Sequence, residues 1–210
     1  MISSSFQFIY VHIPKTAGNS IQTALLPISD DKKLVAKGFR GQERFGIVGK
    51  VTPSKHATLQ QYSELLSGRL DQFLVATSVR HPFERLVSYY FSPHRWQDSE
   101  TSGDWQTPTF DEESFLALAR DLKPMTWFLE ISGSIPADVF YIRHECAKRD
   151  FASFVTKIGA NGVVAELPQL NRSLASHDQL SRIKKSRTLR TATEPFLRND
   201  LQVLEYDLFN

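Results

Sequence analysis

A lysine followed by small and hydroxyl-bearing residues lies between an apolar run and a helical pattern near the start of the chain. The segment reads Pro14-Lys15-Thr16-Ala17-Gly18-Asn19-Ser20. A turn of this kind before a helix can bind a phosphate, because backbone N–H groups and the helix dipole point at the anion and the lysine adds a mobile positive charge. Gly18 would let the backbone approach the anion closely. The alternative is an ordinary strand–turn–helix with a solvated lysine.

A second pair of residues also fits an anion. Arg80 follows an apolar run, and Ser88 lies in the helical pattern that comes next. A helix rises about 1.5 Å per residue, so roughly six residues place Ser88 about 9 Å along the axis, a separation that an arginine and a phosphate can bridge. The guanidinium fork matches phosphate oxygens, and a serine hydroxyl adds a donor. Taken separately, Arg80 also fits a surface charge at a strand end, and Ser88 a solvent-facing helical serine.

The elements that must position these residues follow from the apolar pattern. Strands are predicted at Phe8–Ile13, where the apolar run breaks at Pro14, and at Phe73–Val79 and Asp138–Arg143, with helical spacing after each of them. Strands alternating with helices predict an α/β fold with a mainly parallel central sheet flanked by helices. Ligands of such sheets bind beyond the carboxyl ends of the strands, where both the lysine turn and Arg80 are expected.

Other segments have weaker patterns. Residues 29–46 are polar and glycine-bearing and predict a surface excursion, and residues 92–109 predict a long polar connection. The last helix is predicted from about Pro195 to Leu204. A basic run from Arg182 to Arg190 either lines an anionic ligand or forms a solvated helix face.

Composition limits the classes of protein. The chain has 210 residues, 41% of them hydrophobic and 23% charged, which predicts one domain over residues 1–210. The net charge of +2 predicts no extended nucleic-acid groove. Cys146 is the one cysteine, so no internal disulfide can form and a reducing compartment is favoured. No apolar run is long enough to span a bilayer and no signal-peptide pattern is present, so we expect a cytoplasmic protein.

The lysine turn resembles a known motif. Its lysine precedes the glycine, unlike the Walker pattern G-x-x-x-x-G-K-[ST], which argues against an ordinary ATPase or GTPase. The string P-K-T-A-G-N-S resembles the 5′-phosphosulfate loop of sulfotransferases that use 3′-phosphoadenosine 5′-phosphosulfate (PAPS). The form H-I-P-K-T-A-G-x-S looks like the carbohydrate branch, which includes the heparan 2-O and chondroitin enzymes. The segment from Arg80 to Ser88, R-H-P-F-E-R-L-V-S, is similar to the 3′-phosphate motif of that family. We expect a bacterial member, since eukaryotic relatives carry a membrane anchor.

The resemblance implies a three-layer, P-loop-like fold and a role for each matching residue. Lys15 would stabilise the bridging and leaving oxygens. The backbone from Thr16 to Ser20, with Ala17, Gly18 and Asn19 between them and with the hydroxyls of Thr16 and Ser20, would bind the 5′-phosphate. Arg80 and Ser88 would bind the 3′-phosphate. No metal is required, and we find no convincing cluster of metal ligands in the sequence.

His56 is the candidate general base. It follows a predicted short strand at Ile47–Val51, and the resemblance places a catalytic histidine in this region in the heparan 2-O branch, whereas other branches use a glutamate. An imidazole pKa of about 6.5 suits a base near neutrality. The alternative is a structural histidine that caps the helix at Leu59.

Together these patterns predict a PAPS-dependent sulfotransferase that acts on a hydroxyl of a carbohydrate or glycolipid. Two other classes remain open. A P-loop kinase of small molecules would bind ATP and Mg²⁺, and a non-catalytic nucleotide-binding module of the same fold would bind the nucleotide and remain inert.

Overall fold

The computed structural model describes residues 1–37, 43–92, 109–164, 166–168 and 177–209. These residues form two compact units, one from Met1–Val79 with Trp127–Leu170 and the other from Arg80–Thr126 with Asn171–Asn210. One domain over residues 1–210 therefore stays a prediction. No helix in the described ranges is long and apolar enough to cross a membrane.

Strands and helices alternate along much of the chain. The strands are β1 (Ile2–Ser3), β2 (Phe8–Val11), β3 (Lys32–Lys37), β4 (Glu43–Val48), β5 (Leu74–Val79) and β6 (Phe140–Arg143). The helices are α1 (Gly18–Leu25), α2 (Leu59–Leu66), α3 (Pro82–Tyr90), α4 (Glu112–Asp121), α5 (Ala147–Lys157), α6 (His177–Lys185) and α7 (Arg187–Val203).

The first unit contains a four-stranded sheet in the order β1-β2-β5-β6. Strand β2 pairs in parallel with β5, and β5 in parallel with β6, while the short β1 pairs antiparallel with β2. The predicted α/β class with a mainly parallel central sheet is confirmed. Parallel strands place their carboxyl ends at one edge, so the loop after β2 starts beside the end of β5.

Both faces of this sheet are buried. On one face, Phe8 and Tyr10 of β2 belong to a cluster that also takes in apolar residues of α1 and α5. The alternate residues Ile9 and Val11 point to the opposite face and are also fully buried. This burial on both sides explains why β2 is a continuous apolar run, and it fixes the position at which the lysine turn begins.

Two sequence predictions need correction. The predicted surface excursion at 29–46 contains a regular antiparallel pair, β3 with β4, in which Lys32 lies opposite Val48 and Leu34 opposite Gly46. The two strands pair the backbone groups that face each other, so a ladder can form without an alternating apolar pattern in the sequence. The predicted strand at Ile47–Val51 accordingly lies earlier in the chain, as β4.

The second unit is helical. Helix α3 packs against α4, α6 and α7, around an apolar cluster that includes Phe83, Tyr90, Phe115 and Leu197. The buried Asp200 carboxylate binds the loop before residue 127 by accepting hydrogen bonds from backbone N–H groups at 2.7 and 3.0 Å. These contacts give α3, which carries the second candidate motif, a fixed support.

The last helix begins earlier than predicted. Helix α7 starts at Arg187, with the Ser186 hydroxyl accepting a hydrogen bond from the Leu189 N–H at 3.3 Å. Pro195 therefore lies inside the helix and does not begin it. The prediction was wrong because proline is common at a first helical position, whereas here the serine cap starts the helix.

Candidate functional site

The backbone of the lysine turn adopts an unusual conformation. Lys15 has φ of 70° and Ala17 has φ of 74°, whereas Thr16 between them does not have a positive φ. The left-handed region costs a residue other than glycine about 1–2 kcal/mol, so the surrounding structure must hold the turn in place. Left-handed residues within a turn can direct successive N–H groups toward one point, as in anion-binding nests.

Helix α1 begins directly after this turn. The N–H groups of Ser20 and Ile21 both donate to the Ala17 carbonyl, at 3.0 and 3.4 Å. The N–H groups of Gly18 and Asn19 also lie in the first turn, where a helix offers no internal acceptor. The helix dipole adds partial positive charge at the same end. Turn and helix together form a place for a phosphate or sulfate oxygen.

The Thr16 hydroxyl takes part in a buried chain of hydrogen bonds and does not point outward. It lies 2.8 Å from the Ile13 carbonyl and 2.7 Å from the Ser78 hydroxyl, which lies 2.6 Å from the Tyr10 hydroxyl. A carbonyl only accepts, so the single Thr16 proton goes to Ile13. Ser78 must then donate to Thr16, and Tyr10 to Ser78. The Thr16 hydroxyl therefore has no second proton to donate to a phosphate, and its backbone N–H is left for that role.

Gly18 is required by a neighbouring side chain. A Cβ at this position would lie 1.9 Å from Cδ2 and 2.1 Å from Nε2 of His12. The buried His12 ring thus packs directly on the first residue of α1, and only glycine leaves room for it. The sequence suggested a different reason for this glycine, namely close approach to an anion.

His12 is held neutral and in one tautomer. Its Nδ1 lies 2.8 Å from Oε1 of Gln22, and because an amide oxygen only accepts, Nδ1 carries the proton. Burial lowers the pKa of His12 well below 6.5, and the neighbouring His56 and Lys55 lower it further. His12 therefore serves as an uncharged packing surface between α1 and the candidate base.

His56 has the tautomer of a general base. Its Nδ1 lies 2.9 Å from the His12 carbonyl oxygen, so Nδ1 donates and Nε2 keeps the lone pair. The two imidazole rings have centroids 4.5 Å apart, yet the His56 side chain remains exposed to solvent. Partial burial lowers the pKa of His56 below 6.5, and the Lys55 charge lowers it as well. The hydrogen bond to His12 raises it, but by less. His56 is therefore neutral at neutral pH.

The alternative role for His56 as a helix cap is wrong. Helix α2 is capped by Thr58, whose side chain accepts a hydrogen bond from the Gln61 N–H at 3.3 Å. The Gln61 side chain in turn accepts one from the Thr58 N–H at 2.9 Å, which completes a capping box. The helix thus begins without help from the imidazole.

A second lysine adds positive charge near the turn. Partial burial and, to a smaller extent, the charge of Lys15 together lower the pKa of Lys55 to about 8. Lys55 also lowers the pKa of both His12 and His56. Lys15 and Lys55 therefore lie near each other and near the two histidines. Positive charge gathered in this way favours an anionic ligand.

The second motif lies on one face of α3 in the helical unit. Arg80 precedes the helix and forms an ion pair with Glu84 at 3.8 Å, and Ser88 follows Glu84 by one further turn. Residues four apart in a helix share a face, so Ser88 lies in line with the pair. The His81 Nδ1 caps the helix by accepting from the Phe83 N–H at 3.2 Å.

Two residues of the basic run join this cluster. Lys184 Nζ lies 2.5 Å from Oε2 of Glu84, and Arg190 lies 3.6 Å from Oε1. The Arg190 guanidinium also covers the Phe83 ring at 4.7 Å from its centroid. Three cations thus surround one carboxylate, which leaves an excess of positive charge beside Arg80. These two members of the basic run are not part of a solvated face.

Sequence reasoning missed several of these groups. Glu84 and His12 each make a contact that depends on the fold, whereas Lys184 belongs to the basic run that was already a candidate for binding an anion. Tyr10 and Ser78 gave one usable signal, because each is a hydroxyl within an apolar strand, and buried hydroxyls require partners. Within the part of the chain that the structure describes, no group of three or more His, Cys, Asp or Glu residues is arranged to hold a metal ion.

Comparison with known proteins gives one match. A family model described as the sulfotransferase family matches residues 1–207. No curated protein and no solved structure matches the chain. The match covers the lysine turn, His56 and the motif on α3.

Proposed function

Because this chain belongs to the sulfotransferase family, we propose that it transfers a sulfuryl group from PAPS to a hydroxyl of a carbohydrate or glycolipid. The observation that carries the proposal is the lysine turn, in which Lys15 and Ala17 adopt left-handed conformations at the start of α1. The carbohydrate or glycolipid class of the acceptor is supported by the likeness of H-I-P-K-T-A-G-x-S to the carbohydrate branch.

In the proposed reaction, the acceptor oxygen attacks sulfur in line with the departing phosphate oxygen. The new bond is O–S, and the bond that breaks joins sulfur to the 5′-phosphate, so the products are a sulfate ester and 3′-phosphoadenosine 5′-phosphate (PAP). Negative charge grows on the phosphate oxygen as it leaves. Positioning and charge stabilisation therefore dominate, as in phosphoryl transfer.

The lysine turn binds the 5′-phosphosulfate in this proposal. Lys15 stabilises the bridging and leaving oxygens, since its half-buried position lets the ammonium group act at reduced solvent screening. The backbone N–H groups of Thr16, Ala17, Gly18 and Asn19 bind the phosphate oxygens. Ser20, whose N–H donates to the Ala17 carbonyl, contributes its hydroxyl. The half-buried Ala17 and Asn19 are support for this role, because they leave the rim of the turn open to solvent.

His56 takes the acceptor proton. The proton moves from the acceptor hydroxyl to Nε2, while Nδ1 keeps its own proton and donates it in a hydrogen bond to the His12 carbonyl. The lowered pKa supports this role because the imidazole is unprotonated, and so competent as a base, at neutral pH.

The cluster on α3 binds the 3′-phosphate. Arg80 and Ser88 are the residues of the motif, and Lys184 adds a cation that the motif does not contain. A phosphate monoester carries nearly two negative charges, which matches the charge of three cations set against the Glu84 carboxylate. This balance supports a monoester over a singly charged group.

The direct test is transfer of labelled sulfur from PAPS to a panel of sugar acceptors, with PAP release measured in parallel. We expect transfer by the unaltered protein. Lys15→Ala and His56→Ala should each lower kcat by about 10²–10⁴-fold, while the exposed Lys50→Ala serves as a control with the normal rate. The His56 variant should keep its affinity for PAP. Normal turnover in either variant would remove that residue from the mechanism.

A further inference from the structure

The hydrogen bond between Thr16 and Ile13 spans the strained residue of the turn. Lys15, with φ of 70°, lies between the two partners, whose oxygen atoms are 2.8 Å apart. This bond closes the turn across Pro14 and Lys15 and so opposes relaxation of Lys15 to an ordinary conformation. The Thr16 hydroxyl is itself held by Ser78 of β5, at 2.7 Å, and Ser78 by Tyr10 of β2.

We propose that Tyr10 and Ser78 are positioning residues of the sulfotransferase, which hold the Lys15 turn in its anion-binding conformation by way of Thr16. The inference rests on the proposed function, since it assigns the turn to the 5′-phosphosulfate. It adds two residues from the sheet interior that do not touch the ligand. Their effect on the reaction passes through the Thr16 hydroxyl and the conformation of Lys15.

The order of the protons supports the proposal. Each hydroxyl has a single proton, and the chain ends at a carbonyl, so Tyr10 donates to Ser78, Ser78 to Thr16, and Thr16 to Ile13. Every member is fully buried, so no water replaces a lost link from solvent. Burial raises the pKa of the Tyr10 hydroxyl, which keeps its proton in place throughout the neutral range. Hydrogen bonds arranged in one direction polarise and strengthen one another.

The test compares two nucleotides in calorimetric titrations. PAP contains the 5′-phosphate, whereas adenosine 3′-phosphate lacks it. The affinity for PAP divided by the affinity for adenosine 3′-phosphate therefore reports on the Lys15 turn alone. We expect Ser78→Ala to reduce this ratio by about tenfold, which is the loss of about one hydrogen bond in the turn. Tyr10→Phe should act in the same direction and more weakly, and the double variant should resemble Ser78→Ala, because the two residues act in series.

Thr77→Val is the matched control. The Thr77 hydroxyl is equally buried and donates to the Val11 carbonyl at 2.8 Å, with the Ser78 backbone carbonyl at 3.5 Å. Its hydroxyl is not part of the chain that joins the side chains of Tyr10, Ser78 and Thr16. If these buried hydroxyls only stabilise the fold, all the variants should have a lower unfolding temperature and an unchanged ratio of affinities. An equal ratio in Ser78→Ala and Thr77→Val would overturn the inference while the proposed function stands. Failure of the unaltered protein to bind PAP would overturn both.

Discussion

At the scale of single residues, the chemistry depends on which nitrogen of His56 carries its proton. A backbone carbonyl, that of His12, fixes the proton on Nδ1. A carboxylate as the partner of Nδ1 would stabilise the charged imidazolium and raise the pKa of His56. A neutral carbonyl stabilises the imidazolium less and so raises the pKa less. The arrangement therefore supports the proposed role of His56 as a neutral base that accepts the acceptor proton at Nε2.

The pH dependence of kcat/KM should have two limbs, both from residues beside the lysine turn. The pKa of His56 is lowered below 6.5, so activity should rise with pH through an acid limb that lies below that value. The pKa of Lys55 is lowered to about 8, so activity should fall as its charge is lost above that pH. A pH profile of kcat/KM reports these groups in the free enzyme.

The variant Lys55→Met separates the two limbs. It should remove the limb near pH 8 and, because the Lys55 charge lowers the pKa of His56, move the acid limb to higher pH. Lys55→Arg keeps a charge at every accessible pH and should also lose the alkaline limb while retaining the acid limb near its original place. An alkaline limb unchanged in both variants would show that another group titrates there.

At the scale of elements, the packing of α1 on the end of β2 determines where the turn lies. Gly18 and His12 are in van der Waals contact, and the next residues of α1 join the apolar cluster of the sheet. The turn between the two elements therefore has little freedom, which is how two left-handed residues other than glycine can persist there.

Gly18→Ala should destabilise the protein and distort the turn. The added Cβ would overlap the His12 ring at 1.9 Å, and overpacking of this kind costs about 1–3 kcal/mol. Denaturant unfolding should show the loss, and PAP affinity should fall with it. His12→Ala alone should also be harmful. In the Gly18→Ala background, however, it should restore part of the lost stability and part of the lost PAP affinity. Additive effects of the two substitutions would contradict the contact.

The cluster on α3 gives a prediction for helix α6. Lys184 contacts Glu84 at 2.5 Å, whereas its neighbour Lys185 is exposed and makes no ion pair within the described residues. Lys184→Met should weaken the binding of PAP more than that of adenosine 5′-phosphate, which lacks the 3′-phosphate. The ratio of the two affinities should fall by a factor of about ten. Lys185→Met should leave that ratio unchanged, since its side chain is exposed and its charge is screened by solvent. Equal effects of the two variants would exclude Lys184 from the 3′-phosphate site.

Prediction from sequence succeeded where one local pattern decided the structure. The apolar runs of β2 and β5 and the helical spacing of α1 were correct because burial on both faces leaves a clear signature. The β3–β4 pair has no such signature, and the start of α7 depends on Ser186 rather than on Pro195. His56 was a candidate from its type and place, but its tautomer was beyond prediction because the partner lies 44 residues away in sequence.

At the scale of the whole molecule, a small net charge hides two basic neighbourhoods. The chain as a whole carries +2, yet Lys15 and Lys55 couple in one unit and Arg80, Lys184 and Arg190 gather in the other. The net charge sums over the whole chain, so it predicts no extended polyanion groove but gives no information about the potential at each neighbourhood. The family match over residues 1–207 takes in both neighbourhoods.

The central claim is that the lysine turn accepts a PAPS-type nucleotide and not ATP. The measurement that tests it most directly is calorimetric titration of the purified protein with PAP, beside ATP in the presence of Mg²⁺. We predict clear binding of PAP and weak binding of ATP, since the cluster on α3 is the proposed site of a 3′-phosphate that ATP lacks. Tight binding of ATP with Mg²⁺ and none of PAP would contradict the account and favour a kinase.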